Sequence, residues 1–479
     1  MSFFLQHSSK RTQSKLEFIP PAFNPLVLKS AQFLLPIFLQ FQIRQWLPTR
    51  ITRIETANVE VLVNLYQQFQ TGKVRFLMAF RHSAIEDALC MLHLLSQAMP
   101  RVARQKGIHL QNPVHTHFVY NGGISLWTDG WNGWLFSRLG GIPIHPGKRL
   151  DRIGLQTVRD LFANGKLPMA IAPEGFTNGY SEIISPLRHG VAQLGFWCVE
   201  DLLKAERSET VFIVPIGIQY HYEQPPWTHL DWLLSELEAD TGLPVQPIEN
   251  FSSVKERERI YYQRLFRIGE QTLSQMEQFY AQFYHKNLPT EAPIAFEEPT
   301  SPNEVLALRL QALMNLALQV AEEYFNLPAQ GDLIERCLRL QQSCWDYIYR
   351  KDMQKMDSLS PIEQGLTDWI AEEASLRIRH MLLVVSFVAV TGSYVQEKPT
   401  AERFAETALK LSDLIARIKS TKRRKRPDLG QRWVQMTVGE PISVTERWQV
   451  NQRTNRQTAK KAVIELTQDL QIALENLIR

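Results

Sequence analysis

The chain has 479 residues, of which 44% are hydrophobic and 21% are charged, a composition typical of folded proteins and not of disordered or collagen-like chains. Lys and Arg number 53 against 49 Asp and Glu, and the resulting net charge of +4 is too small to indicate nucleic-acid binding by charge alone. The mean hydropathy of -0.22 excludes a polytopic membrane protein.

The N-terminal region, residues 1–54, is predicted to be a helical segment associated with a membrane. Its first residues lack the charged and apolar regions of a secretory signal, so none is expected. The apolar stretch 26–47 contains Pro36, which predicts a kink, and is interrupted by polar residues (Lys29, Gln32, Gln40, Gln42 and Arg44). A transmembrane helix needs about 20 mostly apolar residues, and this stretch is too interrupted to predict one. A helix lying in the membrane interface and a helix packed on its own domain are equally compatible with it.

Residues 55–222 predict a domain of alternating helices and strands. Apolar residues recur at helical spacing in 59–69, in 85–95 and around 153–162. Strand-like runs between them lie at 74–80 and 117–120, and compact apolar runs predict further strands at 169–172 and 211–218. Uninterrupted apolar strands are typical of buried parallel sheets. The predicted fold class is therefore α/β, with a mostly parallel sheet flanked by helices.

Residues 223–429 predict a large all-helical insertion. The amphipathic stretches are 228–241, 253–286, 303–326, 331–350, 362–395 and 401–419. Four prolines mark 289–302 as a linker within it. The apolar run Met381–Val390 is short for a span, which favours a buried core helix.

Strand character returns in residues 430–479, at Trp433–Val438, followed by a predicted helix from about 455 to 478. A single strand after two hundred helical residues needs a sheet to join. We expect it to complete the first sheet, because a folded insert with neighbouring ends adds little entropic cost.

The first candidate catalytic feature is His82 followed five residues later by Asp87, at the carboxyl end of a predicted parallel strand. A histidine that takes a proton from an alcohol becomes cationic, and a carboxylate on its other ring nitrogen fixes the tautomer and stabilises that cation. Alone, the pair is more often a helix cap and a surface contact.

Three further segments carry weaker signals. Glu174 and Gly175 follow a strand in a turn whose backbone N–H groups suit an oxyanion or a polar headgroup, although an ordinary turn is the simpler interpretation. His145, Lys148 and Arg149 follow a glycine turn and suit an anionic substrate as well as they suit a solvated loop. Arg188 lies just before an apolar helix, whose N-terminus also favours anions.

In order and spacing, these segments together resemble the phospholipid/glycerol acyltransferase family, which includes 1-acyl-sn-glycerol-3-phosphate acyltransferases. The matching stretches are His82–Asp87, Gly141–Gly147, Pro173–Gly175, Pro186–Gly190 and Val214–Ile216. The late Val438–Ile442 resembles the family's v-G-x-P-(I/V) strand, and the helical insertion is not covered.

The resemblance implies phospholipid biosynthesis, by acyl transfer from acyl-CoA or acyl carrier protein to a glycerolipid hydroxyl, with no metal or bound cofactor. His82 is then the general base and Asp87 orients it. Glu174 and Gly175 belong to the acceptor-binding block, with Lys148, Arg149 and Arg188 as candidate phosphate contacts.

The sequence also departs from the family pattern. His145 and Thr177 occupy positions where the family usually has arginine, and Arg81 replaces the Asn that often precedes the histidine. Neither His145 nor Thr177 supplies a bidentate guanidinium. Three hypotheses therefore stay open: a lysophospholipid acyltransferase, an acyltransferase for a non-phosphate lipid alcohol, and a non-catalytic lipid- or protein-binding relative.

A basic run at Arg417–Arg426 holds seven cations in ten residues. Beside an acyltransferase domain it predicts attachment to an anionic membrane surface, whereas a solvated loop is the alternative. No nucleic-acid-binding motif accompanies it.

The four cysteines form no C-x-x-C pair, which argues for a reducing compartment. The expected location is the cytoplasmic face of a membrane, as a peripheral or monotopic protein.

Overall fold

The computed structural model describes residues 18–40, 50–121, 131–144, 152–246, 251–286, 301–349, 359–387, 394–419, 426–451 and 456–478. The strands are β1 Ile51–Ala57, β2 Val74–Phe80, β3 His117–Asn121, β4 Gly141–Ile144, β5 Met169–Ile171, β6 Thr210–Tyr222, β7 Arg432–Val438 and β8 Ile442–Ser443.

The helices of the sheet-forming parts of the chain are α1 Pro25–Gln40, α2 Val59–Gln70, α3 Asp87–His93, α4 Met99–Gln105, α5 Trp131–Arg138, α6 Arg152–Asn164, α7 Gly190–Lys204, α15 Val444–Asn451 and α16 Arg456–Asn476. The helices between β6 and β7 are α8 Trp227–Asp240, α9 Val254–Tyr284, α10 Pro302–Tyr324, α11 Leu333–Ile348, α12 Pro361–Phe387, α13 Tyr394–Glu397 and α14 Ala401–Ile418. A π-helical turn, Leu94–Ala98, joins α3 to α4.

The predicted α/β class is confirmed. The described strands form one sheet in the order β1-β7-β6-β2-β5-β3-β4, with β8 on β6. All neighbouring pairs are parallel except those of β6 with β7 and with β8. One face packs on α1 to α4, and the other on α6, α7 and α16. Helices on both faces explain why β2 is buried along its whole length.

The predicted late strand does join this sheet, as β7 between β1 and β6. Tyr222 at the end of β6 is paired with Arg432 at the start of β7, and the amide of Glu223 donates to the carbonyl of Gln431 (N–O, 3.0 Å). The two ends of the helical region are therefore adjacent. A folded region with adjacent ends fits into a sheet without an open loop to close.

Three strands, β1, β4 and the two-residue β8, were not predicted, and β6 is longer than predicted. β1 is an edge strand whose residues after the buried Ile51 are exposed or half-buried. Its apolar Ile51 and Ile54 are three apart, a spacing that does not indicate a strand. β4 contains Pro143, which an edge strand tolerates. β6 extends to Tyr222 instead of ending at Ile218 because its last residues pair with β7.

The helical region has its own core, formed by buried side chains of α9 to α12. The described part of the predicted core helix behaves as expected, since Met381, Leu382 and Val384 are buried in that core. Helix α10 is long and apolar enough to cross a membrane, but nine of its residues are buried against neighbouring helices. Of the predicted linker 289–302, the part up to residue 300 lies outside the described residues.

A buried ion pair ties α8 to α9, the first two helices of the insertion. The guanidinium of Arg264 donates two hydrogen bonds of 2.9 Å to the carboxylate of Glu238, and both side chains are fully buried. Removing one partner of a buried pair leaves the other charge without compensation, at a cost of about 3–5 kcal/mol.

We expect Arg264→Ala to lower the free energy of unfolding of the helical region by about 3–5 kcal/mol, measured by urea denaturation. The matched control is Arg309→Ala, which breaks the more exposed pair with Glu277 and costs about 0–1 kcal/mol. Equal losses in the two variants would show that burial of Arg264 does not govern its contribution.

Candidate functional site

The site lies at the carboxyl edge of the sheet, where β2 and β5 end side by side. These strands are parallel neighbours, so the loops that follow them, 81–86 and 172–189, leave the sheet together. The amide of Gly179 donates to the carbonyl of Ser83 (2.9 Å), which joins the two loops directly. The sequence segments around His82 and Glu174 are thus brought into contact.

His82 and Asp87 form a hydrogen-bonded pair, as their spacing allows. Nδ1 of His82 is 3.2 Å from Oδ2 of Asp87. The histidine side chain is 27% exposed, whereas that of Asp87 is fully buried. Nε2 of His82 makes no hydrogen bond to any described residue. A carboxylate on Nδ1 favours the tautomer with the proton there, which leaves the Nε2 lone pair available.

Asp87 is fixed by two further donors. The Tyr220 hydroxyl donates to Oδ1 (2.6 Å), and the amide of Ala84 donates to Oδ2 (2.8 Å). Burial, followed by the charge of Asp87, raises the pKa of Tyr220 well above its usual value, so this phenol stays protonated as a donor. Tyr220 was missed by the sequence analysis, because it lies two residues beyond the predicted end of its strand.

The last strand contributes to the wall behind this pair. Arg432 on β7 forms an ion pair with Glu86 (Nη2–Oε1, 2.5 Å), and its guanidinium carbon lies 5.0 Å from the centre of the Tyr220 ring. Both contacts place a cation beside the buried acidic segment at the start of α3. The site is therefore assembled from β2, β5, β6 and β7, whose sequences are separated by hundreds of residues.

Glu174 supports the backbone of the histidine. Its carboxylate is fully buried; Oε1 accepts from the amide of His82 (2.9 Å), and Oε2 accepts from the amide of Ser185 (2.9 Å) and from Nδ2 of Asn178 (3.2 Å). Burial raises the pKa of Glu174, while Arg81 and the two amides oppose that shift. Three N–H donors on two oxygens fit the carboxylate form.

Arg81 organises the loop that carries Glu174. Its side chain is fully buried and donates to the backbone carbonyls of Tyr180, Ser181 and Ile183. Burial lowers the pKa of Arg81, and the charges of Glu174 and then Asp87 oppose that shift most strongly. From the sequence, Arg81 is only a departure from the family pattern. In the structure it is a buried cation at the centre of the site.

Gly175 and Arg188 lie against each other. Gly175 has φ of +78°, and a Cβ built on it would stand 2.6 Å from Nε of Arg188, so the turn requires glycine for both conformation and space. The amide of Arg188 donates to the carbonyl of Pro173 (3.0 Å), and its Nε is buried without a partner among the described residues. The guanidinium therefore borders the Pro-Glu-Gly turn.

Three of the predicted site residues, His145, Lys148 and Arg149, lie outside the described residues. So does most of the basic run, residues 420–425. Of its described members, Lys419 pairs with Asp240 and Arg426 with Asp413.

Among the described residues, no group of three or more His, Cys, Asp or Glu side chains is placed to hold a metal ion.

Comparisons of the chain with models of protein families, with curated proteins and with solved structures found no match. The geometry of the site is therefore the evidence for its chemistry. That geometry offers an oriented imidazole with one free nitrogen, beside a guanidinium and a glycine turn.

We expect Glu174→Gln to loosen the 174–185 loop, because an amide offers one acceptor where the carboxylate offers two and turns an N–H group toward a donor. Hydrogen exchange of peptides covering 81–86 and 174–185 should become about tenfold faster or more, as a lost buried hydrogen bond implies. Glu206→Gln, an exposed site far from this loop, is the control. Unchanged exchange at both segments would contradict the role given to Glu174.

Proposed function

We propose that the protein is a membrane-associated O-acyltransferase that moves a fatty acyl group from acyl-CoA or acyl carrier protein to a hydroxyl of a lysophospholipid or glycerol phosphate. The observation that carries the proposal is the chain of contacts from Tyr220 through Asp87 to His82, which ends at a free Nε2. The same order of groups activates hydroxyl nucleophiles in other acyl-transfer sites.

In the proposed reaction, Nε2 of His82 takes the proton of the acceptor hydroxyl as its oxygen attacks the thioester carbonyl. The tetrahedral intermediate then collapses, the carbon–sulfur bond breaks, and the leaving thiolate recovers the proton from His82. The buried carboxylate of Asp87 stabilises the imidazolium between these two steps. Tyr220 and Glu174 are positioning residues, since they hold Asp87 and the His82 backbone.

An anionic group of a substrate has a candidate partner in Arg188. Its guanidinium adjoins the glycine turn, and Nε makes no hydrogen bond within the described residues. An arginine in this state suits a phosphate group. This supports a phosphorylated acceptor, whereas a non-phosphate lipid alcohol is favoured only by Thr177 and His145 in the sequence.

The membrane contact proposed for the N-terminal region rests on helix α1. Leu28, Leu35 and Leu39 are buried against the domain. Three apolar side chains on a second face remain exposed: Leu26 by 72%, Phe33 by 80% and Ile37 by 46%. Residues seven and eleven apart share one side of a helix, so these three form a stripe. Such a stripe suits a helix lying in the membrane interface.

We expect His82→Ala to lower the rate of acyl transfer by roughly 10²–10⁴-fold, as loss of a general base does. The assay uses labelled acyl-CoA or acyl carrier protein with lysophosphatidic acid and, separately, monoacylglycerol as acceptor. His109→Ala, an exposed histidine outside the site, should keep the wild-type rate. If neither wild type nor variant transfers label to either acceptor, catalysis is the wrong function and a non-catalytic lipid-binding role replaces it.

We expect Leu26→Ser, Phe33→Ser and Ile37→Ser together to reduce co-sedimentation with vesicles containing anionic lipid by about tenfold or more, since each loses apolar contact with the bilayer. The matched control combines Ile153→Ser, Leu203→Ser and Ile472→Ser, three side chains exposed by 62%, 49% and 54% on helices of the other sheet face. Equal loss in both triple variants would place membrane contact elsewhere than on α1.

A further inference from the structure

Lys410 on α14 of the insertion lies against a turn of the candidate site. A Cβ built on Gly179 would stand 2.5 Å from Nζ of Lys410, and Gly179 has φ of +80°, so the turn requires glycine there for both space and conformation. The amide of Gly179 donates to the carbonyl of Ser83 (2.9 Å), the residue after His82. The lysine therefore ends beside the junction of the two loops that form the site.

The ammonium group of Lys410 has no anionic partner within the described part of the chain. Nζ makes no hydrogen bond or ion pair there, and it lies 5.6 Å from the centre of the Tyr180 ring. Residues 406 and 413 lie on the same side of α14 as Lys410 and carry carboxylates. Both are engaged elsewhere, since Glu406 accepts two other hydrogen bonds and Asp413 pairs with Arg426 (Oδ2–Nη2, 3.6 Å).

The surroundings of Lys410 make an unpaired charge costly. Burial lowers the pKa of Lys410 to about 8, and the charge of Asp413 opposes that shift. A lysine with this pKa is still mostly cationic at pH 7. A charge removed from water destabilises the protein unless a partner compensates it. An anion that arrives from solution would supply that partner.

Two hydroxyls beside the same turn also lack partners. Ser83 is 3% exposed and Tyr180 is 1% exposed, yet neither hydroxyl makes a hydrogen bond to a described residue. Buried polar atoms are nearly always paired. Both hydroxyls can donate, as can the three ammonium protons of Lys410. Such donors suit an anion with several acceptor oxygens, and a phosphate group is an anion of this kind.

We infer that Lys410 and the hydroxyls beside the Gly179 turn bind a phosphate group of a substrate. That this phosphate belongs to an acyl acceptor or to an acyl donor rests on the proposed function, whereas binding of the anion does not require catalysis. Arg188 borders the same loop at Gly175, so the two cations stand at opposite ends of the segment 175–179. The insertion thereby contributes a side chain directly to substrate binding.

The test measures binding to the full chain by ligand-detected NMR titration. The phosphorylated ligands are coenzyme A and 1-hexanoyl-lysophosphatidic acid, and the matching phosphate-free ligands are pantetheine and 1-hexanoylglycerol. We expect Lys410→Met to weaken binding of a phosphorylated ligand by about tenfold or more, because a hydrogen bond between charged groups is lost. Binding of the phosphate-free ligands should not change. Methionine keeps the length and helix propensity of lysine, so α14 should stay folded.

The matched control is Lys398→Met. Lys398 also reaches this loop from the insertion, but Nζ pairs with Glu182 (Nζ–Oε2, 3.2 Å), so its charge is already compensated. The substitution changes the net charge equally and should leave both affinities within about twofold. Equal weakening in Lys398→Met and Lys410→Met would reveal an effect of net charge and overturn the inference. Wild-type affinities in Lys410→Met, or no binding of either phosphorylated ligand by wild type, would also overturn it.

The ligand that loses affinity identifies the source of the phosphate. Weaker binding of the lysophosphatidic acid assigns the phosphate to the acceptor, and weaker binding of coenzyme A assigns it to the donor; each supports the inference. His82→Ala should bind both ligands as wild type does. Because that variant lacks only the proposed base, a failure of phosphate binding is distinguishable from a failure of the proposed activity.

Discussion

The arrangement of the site depends on one buried cation, the guanidinium of Arg81. A desolvated arginine is costly unless surrounding groups compensate it. Here three backbone carbonyls of the 180–183 segment accept its hydrogen bonds, and the negative charges of Glu174 and Asp87 compensate it. Arg81 thereby draws the loop after β5 against the loop after β2. The position of His82 follows from this contact, since Glu174 on the first loop holds its amide.

The segment that Arg81 holds also contacts the helical region. Glu406 on α14 accepts from the amide of Ser181, and Glu182 pairs with Arg403 of the same helix. The loop that Arg81 holds from one side is thus held from the other by the insertion. β7 closes the arrangement, because it returns the chain to the sheet and brings Arg432 to Glu86 beside Asp87. The site therefore includes residues from both sides of an insertion of about two hundred residues.

The sequence predicts those parts of the fold that an apolar pattern determines locally. β2 is predicted residue for residue, since its run is apolar apart from Arg75, lies between Lys73 and Arg81, and is buried along its whole length. β1 is not, because an exposed edge strand becomes recognisable only through its pairing with β7. The spacing of His82 and Asp87 allows their hydrogen bond, but only the resemblance to the acyltransferase family indicates a catalytic role for the pair. The roles of Tyr220 and Arg81 are not predicted, because both depend on residues far away in sequence. Tyr220 lies in the part of β6 that pairs with β7, and Arg81 binds the carbonyls of the 180–183 segment.

The most direct test of the account is the tautomer of His82, read from the ¹⁵N shifts of selectively labelled protein, with the resonances assigned by comparison with His82→Gln. Asp87, held by Tyr220 and the Ala84 amide, should keep the proton on Nδ1 of the neutral ring and leave Nε2 unprotonated. In Asp87→Asn this preference should be lost. A neutral His82 protonated on Nε2 in the wild-type protein would contradict the account, because the nitrogen proposed as the base would have no free lone pair.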